Sequence, residues 1–195
     1  MSIRIVQVML KSAGFDPGPI DGVWGERTLR ALQQALGLPD RPRITDDQLI
    51  ADLKRDEGYA KALPDGRCQA YPDPLSGGDP WTIGYGHTGP EVKPGLIWTR
   101  EQAEAALLED AESHAREMEA DAPWIARLDP VRRRVMHNMA FNLGPAWPSK
   151  WPNTIRVIRA GQWESAAKAM LSSLWAKQVG DRARRLAEQM RTGEA

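Results

Sequence analysis

Apolar residues in "IVQVMLKSAG" recur at helical spacing and stop at Gly14, and those of "GERTLRALQQALGL" do the same after the turn "DPGPIDGVWG". The pattern predicts two helices joined by a tight glycine turn, too small to enclose a substantial core of their own. "LGLPDRPRIT", residues 36 to 45, places a glycine and two prolines between helix-like segments and reads as a short linker. In "ITDDQL" the spacing of Thr45 and Gln48 is that of a capping box, and Ile44 and Leu49 are placed to staple the helix start. A helix is therefore predicted to begin near Asp46. Along it Leu49, Leu53 and Ala60 fall on one stripe, and Glu57 lies inside that stripe, which sets an acid on the buried side.

Beyond Ala62 the periodicity changes. "RCQAY" and "WTIGYGH" are short β-like runs flanking "PDPLSGGDP", so a small hairpin or a three-stranded ribbon is predicted. Strand alternation puts Thr82, Gly84 and Gly86 on one face, and Trp81, Ile83, Tyr85 and His87 on the other. Helical patterns then fill the chain: "TREQAEAALLEDAESHAREMEA" behind a second capping box at Thr99 and Gln102, "DPVRRRVMHNMAFNLG", "NTIRVIRAGQWESAAKAMLSSLW" and "GDRARRLAEQMR". The whole reads as an α+β, mostly helical enzyme, with a small sheet-bearing lobe joined to a larger helical one. Residues 1–38 form a small helical segment, 39–44 the linker and 45–195 the main domain.

Composition narrows the chemistry. Lys plus Arg number 26 and Asp plus Glu 26, so no global basic field argues for nucleic acid or an anionic surface. No apolar run is long enough to cross a bilayer, and "MSIRIVQVMLKSAGFD" lacks the apolar core and cleavage site of a secretory signal. A cytoplasmic site of synthesis is the expectation. Cys68 is the single cysteine, which excludes an internal disulfide, and histidines dispersed at 87, 114 and 137 make neither a metal site nor a cofactor the expectation.

What remains is a pair of acids. A carboxyl group against apolar neighbours holds a proton more readily than a solvated one and suits a general acid, the role Glu57 would take. Asp73, in a polar turn, is suited to be a base or an electrostatic stabiliser. Two carboxyls in unlike surroundings on either side of a cleft are what glycosidic cleavage requires, and Thr82, on the small-residue face, is placed to orient a water beside Asp73. His87, on the other face, reads as a structural partner for an acid. The eight tryptophans fit sugar stacking, but each fits a core position better.

The ordered constellation "DEG", "YPDP" and "TIGYGH", followed by "DPVRRRVMHNMAFNLG", "NTIRVIRAGQWESAAKAM" and "DRARR…RTG", resembles the phage-type lysozymes, the muramidases of glycoside hydrolase family 24, over roughly residues 45 to 193. The resemblance implies a lysozyme-like two-lobed fold, with Glu57 as the acid, Asp73 as the second carboxylate and Thr82 as the third active-site residue. It makes Arg182 the arginine near the catalytic Glu, puts Phe141 and Thr154 along the glycan cleft, and pairs His87 with Asp110. Two departures stand out: "PLSGGDPW" is longer than in the best-known members, and Ala169 replaces a polar cleft residue of some. Residues 1–38, through "GPIDGVWGERTLRALQQALG", resemble a peptidoglycan-binding module; the alternative is a hairpin that merely docks on the catalytic domain.

The implied activity is hydrolysis of the β-1,4 bond between N-acetylmuramic acid and N-acetylglucosamine for host cell lysis by a monomeric endolysin, with inversion. The partners are bacterial peptidoglycan and a separate holin-like pore that releases the protein to the periplasm. A lytic transglycosylase, which needs one carboxyl, and a non-catalytic wall-binding or virion protein are the alternatives.

Overall fold

The computed structural model describes residues 2–37, 43–72 and 77–195, so of the expected linker residues 39–42 lie outside the described residues, as does Asp73. Backbone contacts divide the chain into two units, Met1–Arg43 with Glu57–Asp110, and Ile44–Asp56 with Ala111–Ala195. It is α+β and mostly helical.

The first unit opens with α1 (Ile3–Ser12) and α2 (Glu26–Ala35). What holds the turn between them is one buried carboxamide. Gln7 Nε2 lies within hydrogen-bonding distance of Asp21 Oδ1 (2.8 Å), Val23 O (2.9 Å) and Thr28 Oγ1 (3.1 Å), and Gly22 N donates to Gln7 Oε1 (2.8 Å). Gly22 has φ +82°, a conformation that a side chain resists, so this position of "PIDGVWG" needs glycine.

Two small antiparallel sheets follow. β1 (Cys68–Gln69) pairs with β5 (Ile97–Trp98), a strand the sequence pattern did not predict. β2 (Tyr71–Pro72), β3 (Trp81–Ile83) and β4 (His87–Thr88) form a three-stranded ribbon with β3 in the centre. "WTIGYGH" is thus a hairpin and not one strand. The chain reverses at Gly84-Tyr85-Gly86, and Gly84 is required twice over: its φ is +65°, and a Cβ there would stand 2.8 Å from Cβ of Ala103. The expected separation of faces survives for another reason, because His87 pairs with Ile83 while Thr82 pairs with Tyr71 and Thr88.

The helix α3 (Asp47–Glu57) is assigned to the second unit up to Asp56, and α4 (Arg100–Asp121) changes unit after Asp110. The capping box forms at α4, where Thr99 N donates to Gln102 Oε1 (2.8 Å) and Gln102 N to Thr99 Oγ1 (3.3 Å). It does not form at α3. There Asp46 takes the cap, accepting from Leu49 N at 2.7 Å, while Thr45 gives both its amide (2.8 Å) and its hydroxyl (2.5 Å) to Glu112 Oε1. A carboxylate on a neighbouring helix outcompetes the local Gln48, which turns instead to Asp52 (3.1 Å).

The rest of the second unit is helical: a 3-10 turn (Pro123–Arg127), α5 (Pro130–Leu143), α6 (Trp147–Lys150), α7 (Pro152–Arg159), α8 (Trp163–Leu171), α9 (Leu174–Val179) and α10 (Asp181–Thr192). Asp129 caps α5 by accepting from Arg132 N at 3.0 Å. The helical run after Asn153 is cut into three pieces, first at Gly161, whose φ is +67°, and again at Ser172–Ser173. α10 packs on α8 and α5 over a core that includes Met118, Ile125, Met136, Met139, Trp147, Ile158, Met170 and Leu186. Among the described residues no helix is long and apolar enough to cross a membrane.

Candidate active site

Glu57 is the last residue of α3 and is half-buried. The expected stripe through Ala60 stops there because Gly58 takes the left-handed conformation, φ +70°, that ends helices. The buried residues of α3 are Leu49, Asp52 and Leu53, and the Asp56 side chain is buried as well, so Glu57 is not the acid set most deeply into the helix. The Asp56 side chain is only 4% exposed, and its Oδ2 lies 2.6 Å from Arg185 Nη2, 3.3 Å from Asn138 Nδ2 and 3.4 Å from Arg182 Nε. Arg182 in turn donates from Nε to Asn138 Oδ1 (2.9 Å) and from Nη2 to Asn138 O (3.2 Å). Asp56 and Asn138 thus fix Arg182, and neither was singled out from sequence. Their signal was present: an acid at helical spacing from Leu49 and Leu53, and an asparagine inside the otherwise buried run of α5.

Glu57 leaves its mark on the ribbon. The Tyr71 phenol is held above its ordinary pKa first by burial and then by the negative charge of Glu57, so the carboxylate lies within electrostatic reach of β2. Tyr71 stands directly opposite Thr82 in the β2–β3 register. The first unit therefore gathers Glu57, Tyr71 and Thr82 around one pair of strands. Tyr71 carried no role in the sequence reading, although it sits in "YPDP" beside the acid that did. Phe141, Thr154 and Arg182 belong to the second unit, on α5, α7 and α10. Phe141 is half-buried with its ring edge-on to His114 at 5.8 Å, and Thr154 is buried.

On the other face of the ribbon, His87 Nδ1 lies 2.8 Å from Asp110 Oδ2, and His87 Nε2 lies 2.8 Å from Glu91 Oε1. Burial alone would lower the pKa of the ring, but hydrogen bonds and charge from Asp110 and then Glu91 outweigh it and raise it to about 9. Glu91 is the addition here, reached because the chain turns again after β4, where Val92 N donates to Gly89 O at 3.0 Å.

Beside the amino-terminal helices the first unit holds a cavity of about 590 Å³, lined by Pro17, Val23, Arg27 and Thr28 on one side and by Gln102 and Leu108 of α4 on another.

A family model for phage lysozymes matches residues 62–192, two thirds of the chain and the stretch that holds Asp73, Thr82, Phe141, Thr154 and Arg182. The chain belongs to the phage lysozyme family. Glu57 lies just ahead of the matched stretch of this phage lysozyme domain, at the α3 terminus described above. The chain is also similar to the pre-baseplate central spike protein Gp5 of Enterobacteria phage T4, 29% identical over 194 residues, covering 83% of this chain and 32% of that protein. It spans about a third of the length of that relative.

Proposed function

We propose that this phage lysozyme hydrolyses the β-1,4 bond between N-acetylmuramic acid and N-acetylglucosamine in bacterial peptidoglycan. The observation that carries the reading is the charge of Glu57 felt at Tyr71, opposite Thr82, in a chain of this family. Glu57 gives its proton to the glycosidic oxygen, since a sugar alkoxide departs poorly without one. Asp73 and Thr82 hold a water that attacks the anomeric carbon from the opposite face, and the product is inverted. Inversion requires the carboxyls to stand roughly 6.5 to 9.5 Å apart, whereas a nucleophilic Asp73 requires about 5 to 5.5 Å. Phe141, Thr154 and Arg182 bind the glycan or steady the acid. No cofactor enters the scheme.

A zymogram on cell-wall gel with end-group analysis tests this reading. Free reducing ends with the α-anomer formed first are expected; anhydro ends would assign a lytic transglycosylase, and an uncleared gel a non-catalytic wall-binding protein. Biologically the protein serves host lysis as a monomer, made in the host cytoplasm and released to the periplasm through a holin-like pore. The likeness to a spike protein favours a second setting, a wall-cutting part of the virion. Immunoblotting of purified particles separates the two.

Residues 1–38, with the adjoining 590 Å³ cavity, add affinity for the wall without chemistry. A chain beginning at Arg43 is expected to cleave soluble oligosaccharides and to bind isolated sacculi more weakly than the full chain; equal binding refutes the role.

A further inference from the structure

Trp98, Trp147 and Trp175 are core residues, but Trp124 and Trp163 are not. These two are half-buried and, with Leu128 and Ile158, line a cavity of about 340 Å³ within the second unit, whose rim carries Arg127 and Arg159. Among the described residues no acidic side chain lines it. In a chain whose charges balance overall, two exposed guanidinium groups over an apolar floor make a locally cationic hollow. Each ring has a guanidinium group over it. The Arg132 guanidinium stacks 4.1 Å from the Trp163 centroid, and is itself anchored to Asp129 Oδ2 (2.8 Å) and Met190 O (2.8 Å). Arg159 lies over Trp124 at 5.8 Å, so its charge and that ring face the same space. Gly161, with φ +67°, borders the Trp163 edge, where an added Cβ would stand in ordinary contact with Cζ2 at 3.7 Å.

We propose that this hollow is an accessory subsite for a single carboxylate-bearing amino sugar, an N-acetylmuramic acid unit that carries no stem peptide, because the peptide would otherwise tie up the lactyl carboxyl as an amide. Indole faces suit the C–H face of a pyranose and the methyl of its acetamido group, while paired guanidinium groups suit a carboxylate through charge-assisted hydrogen bonds. The volume is at the small end of ligand pockets and fits one sugar unit, not a glycan chain. A neutral N-acetylglucosamine unit offers the rings the same stacking face but gives the arginines nothing to pair with. The subsite lends the enzyme a second hold on glycan stretches from which the peptides have been removed. It rests on the wall-hydrolase reading for its ligand, yet has its own readout.

The test follows the indole N–H signals of the full-length protein by NMR, assigned through Trp124→Phe and Trp163→Phe. The titrant is the disaccharide of N-acetylglucosamine linked to N-acetylmuramic acid, which lacks the bond to be cleaved; N,N′-diacetylchitobiose is the neutral control. The Trp124 and Trp163 signals are expected to move together and saturate with the acidic disaccharide. Affinity should fall about tenfold with chitobiose, and about tenfold in Arg127→Gln/Arg159→Gln, the worth of an ion-assisted hydrogen bond near the surface. Both arginines are exposed, so that variant should fold as the parent does. Signals that move no more than that of buried Trp147, or a double variant that binds the disaccharide like the parent, overturn the subsite. Cleavage of walls without these shifts sinks the subsite alone; the shifts without cleavage sink the hydrolase reading alone.

Discussion

The interiors of the two units are stabilised by different means. The helical unit rests on large apolar side chains, with Met136, Met139, Met170 and Trp147 fully buried, and it sets a deep acid, Asp56, among two arginines and an asparagine. The sheet-bearing unit has strands of two or three residues, and polar anchors do much of the work: Gln7 in the amino-terminal turn and His87 between Asp110 and Glu91 on the ribbon. Packing tolerates little change of shape, whereas polar anchors respond to pH and to single substitutions of charge. The candidate acid and Thr82 sit in the unit held by anchors.

The largest expected effect is in the core. Trp147→Ala removes a fully buried ring and should lower unfolding free energy by about 3–5 kcal/mol in urea. A loss under 1 kcal/mol would mean that packing is not what holds the helical unit. Next is Asp56→Ala, which leaves Arg182 and Arg185 without their shared counter-charge and should cost about 3 kcal/mol, the scale of breaking a buried pair. If denaturation shows the loss but wall clearing is also abolished beyond what instability explains, the position of Arg182 matters to the chemistry as well as to the fold.

A change of pH acts on the two units in opposite directions. His87 is raised to about 9 from an ordinary value near 6.5, so its contribution is complete below about 6.5, while its carboxylate partners stay ionised, and is lost as pH climbs through 9. Glu119 of the helical unit runs the other way. Burial works to raise it, but hydrogen bonds from His137 (2.7 Å) and Arg133 (2.7 and 2.9 Å) outweigh burial and hold it at about 2. Its contribution is present above about 4.5 and lost as pH falls towards 2. Residue-resolved hydrogen exchange should find the ribbon loosening first on the alkaline side and the α4–α5 contact first on the acid side. His87→Asn should melt below the parent at pH 6 and converge with it near pH 10; equal melting at pH 6 refutes the anchor. The smallest effect is Gln7→Ala, about 1–2 kcal/mol from buried groups left without their partner, confined to faster exchange in residues 3–35.

Long periodic stretches were readable: α1, α2, α4, α5 and α10 lie where apolar spacing and capping residues placed them, since their signals are local. The misses share a cause. Thr45 fits a capping box in sequence, but Glu112 claims its hydroxyl from 67 positions away. "WTIGYGH" alternates like a strand, yet the approach of Ala103 and two positive-φ glycines fold it into a hairpin. β5 has only Ile97 and Trp98 to announce it and exists because β1 pairs with it. At the candidate site, Glu57 and Thr82 stood out as residues of the right chemistry, but Tyr71, Asp56 and Glu91 act through distance and charge, which pattern does not encode.

The most direct test of the central claim is the clearing rate of permeabilised Gram-negative cells by folded Glu57→Gln protein. The amide keeps size and hydrogen bonding but cannot deliver a proton, so the rate should fall by about 10²–10⁴ with the melting temperature little changed. A Glu57→Gln protein that clears walls within a few-fold of the parent would contradict the account, and the proton donor would have to be another residue.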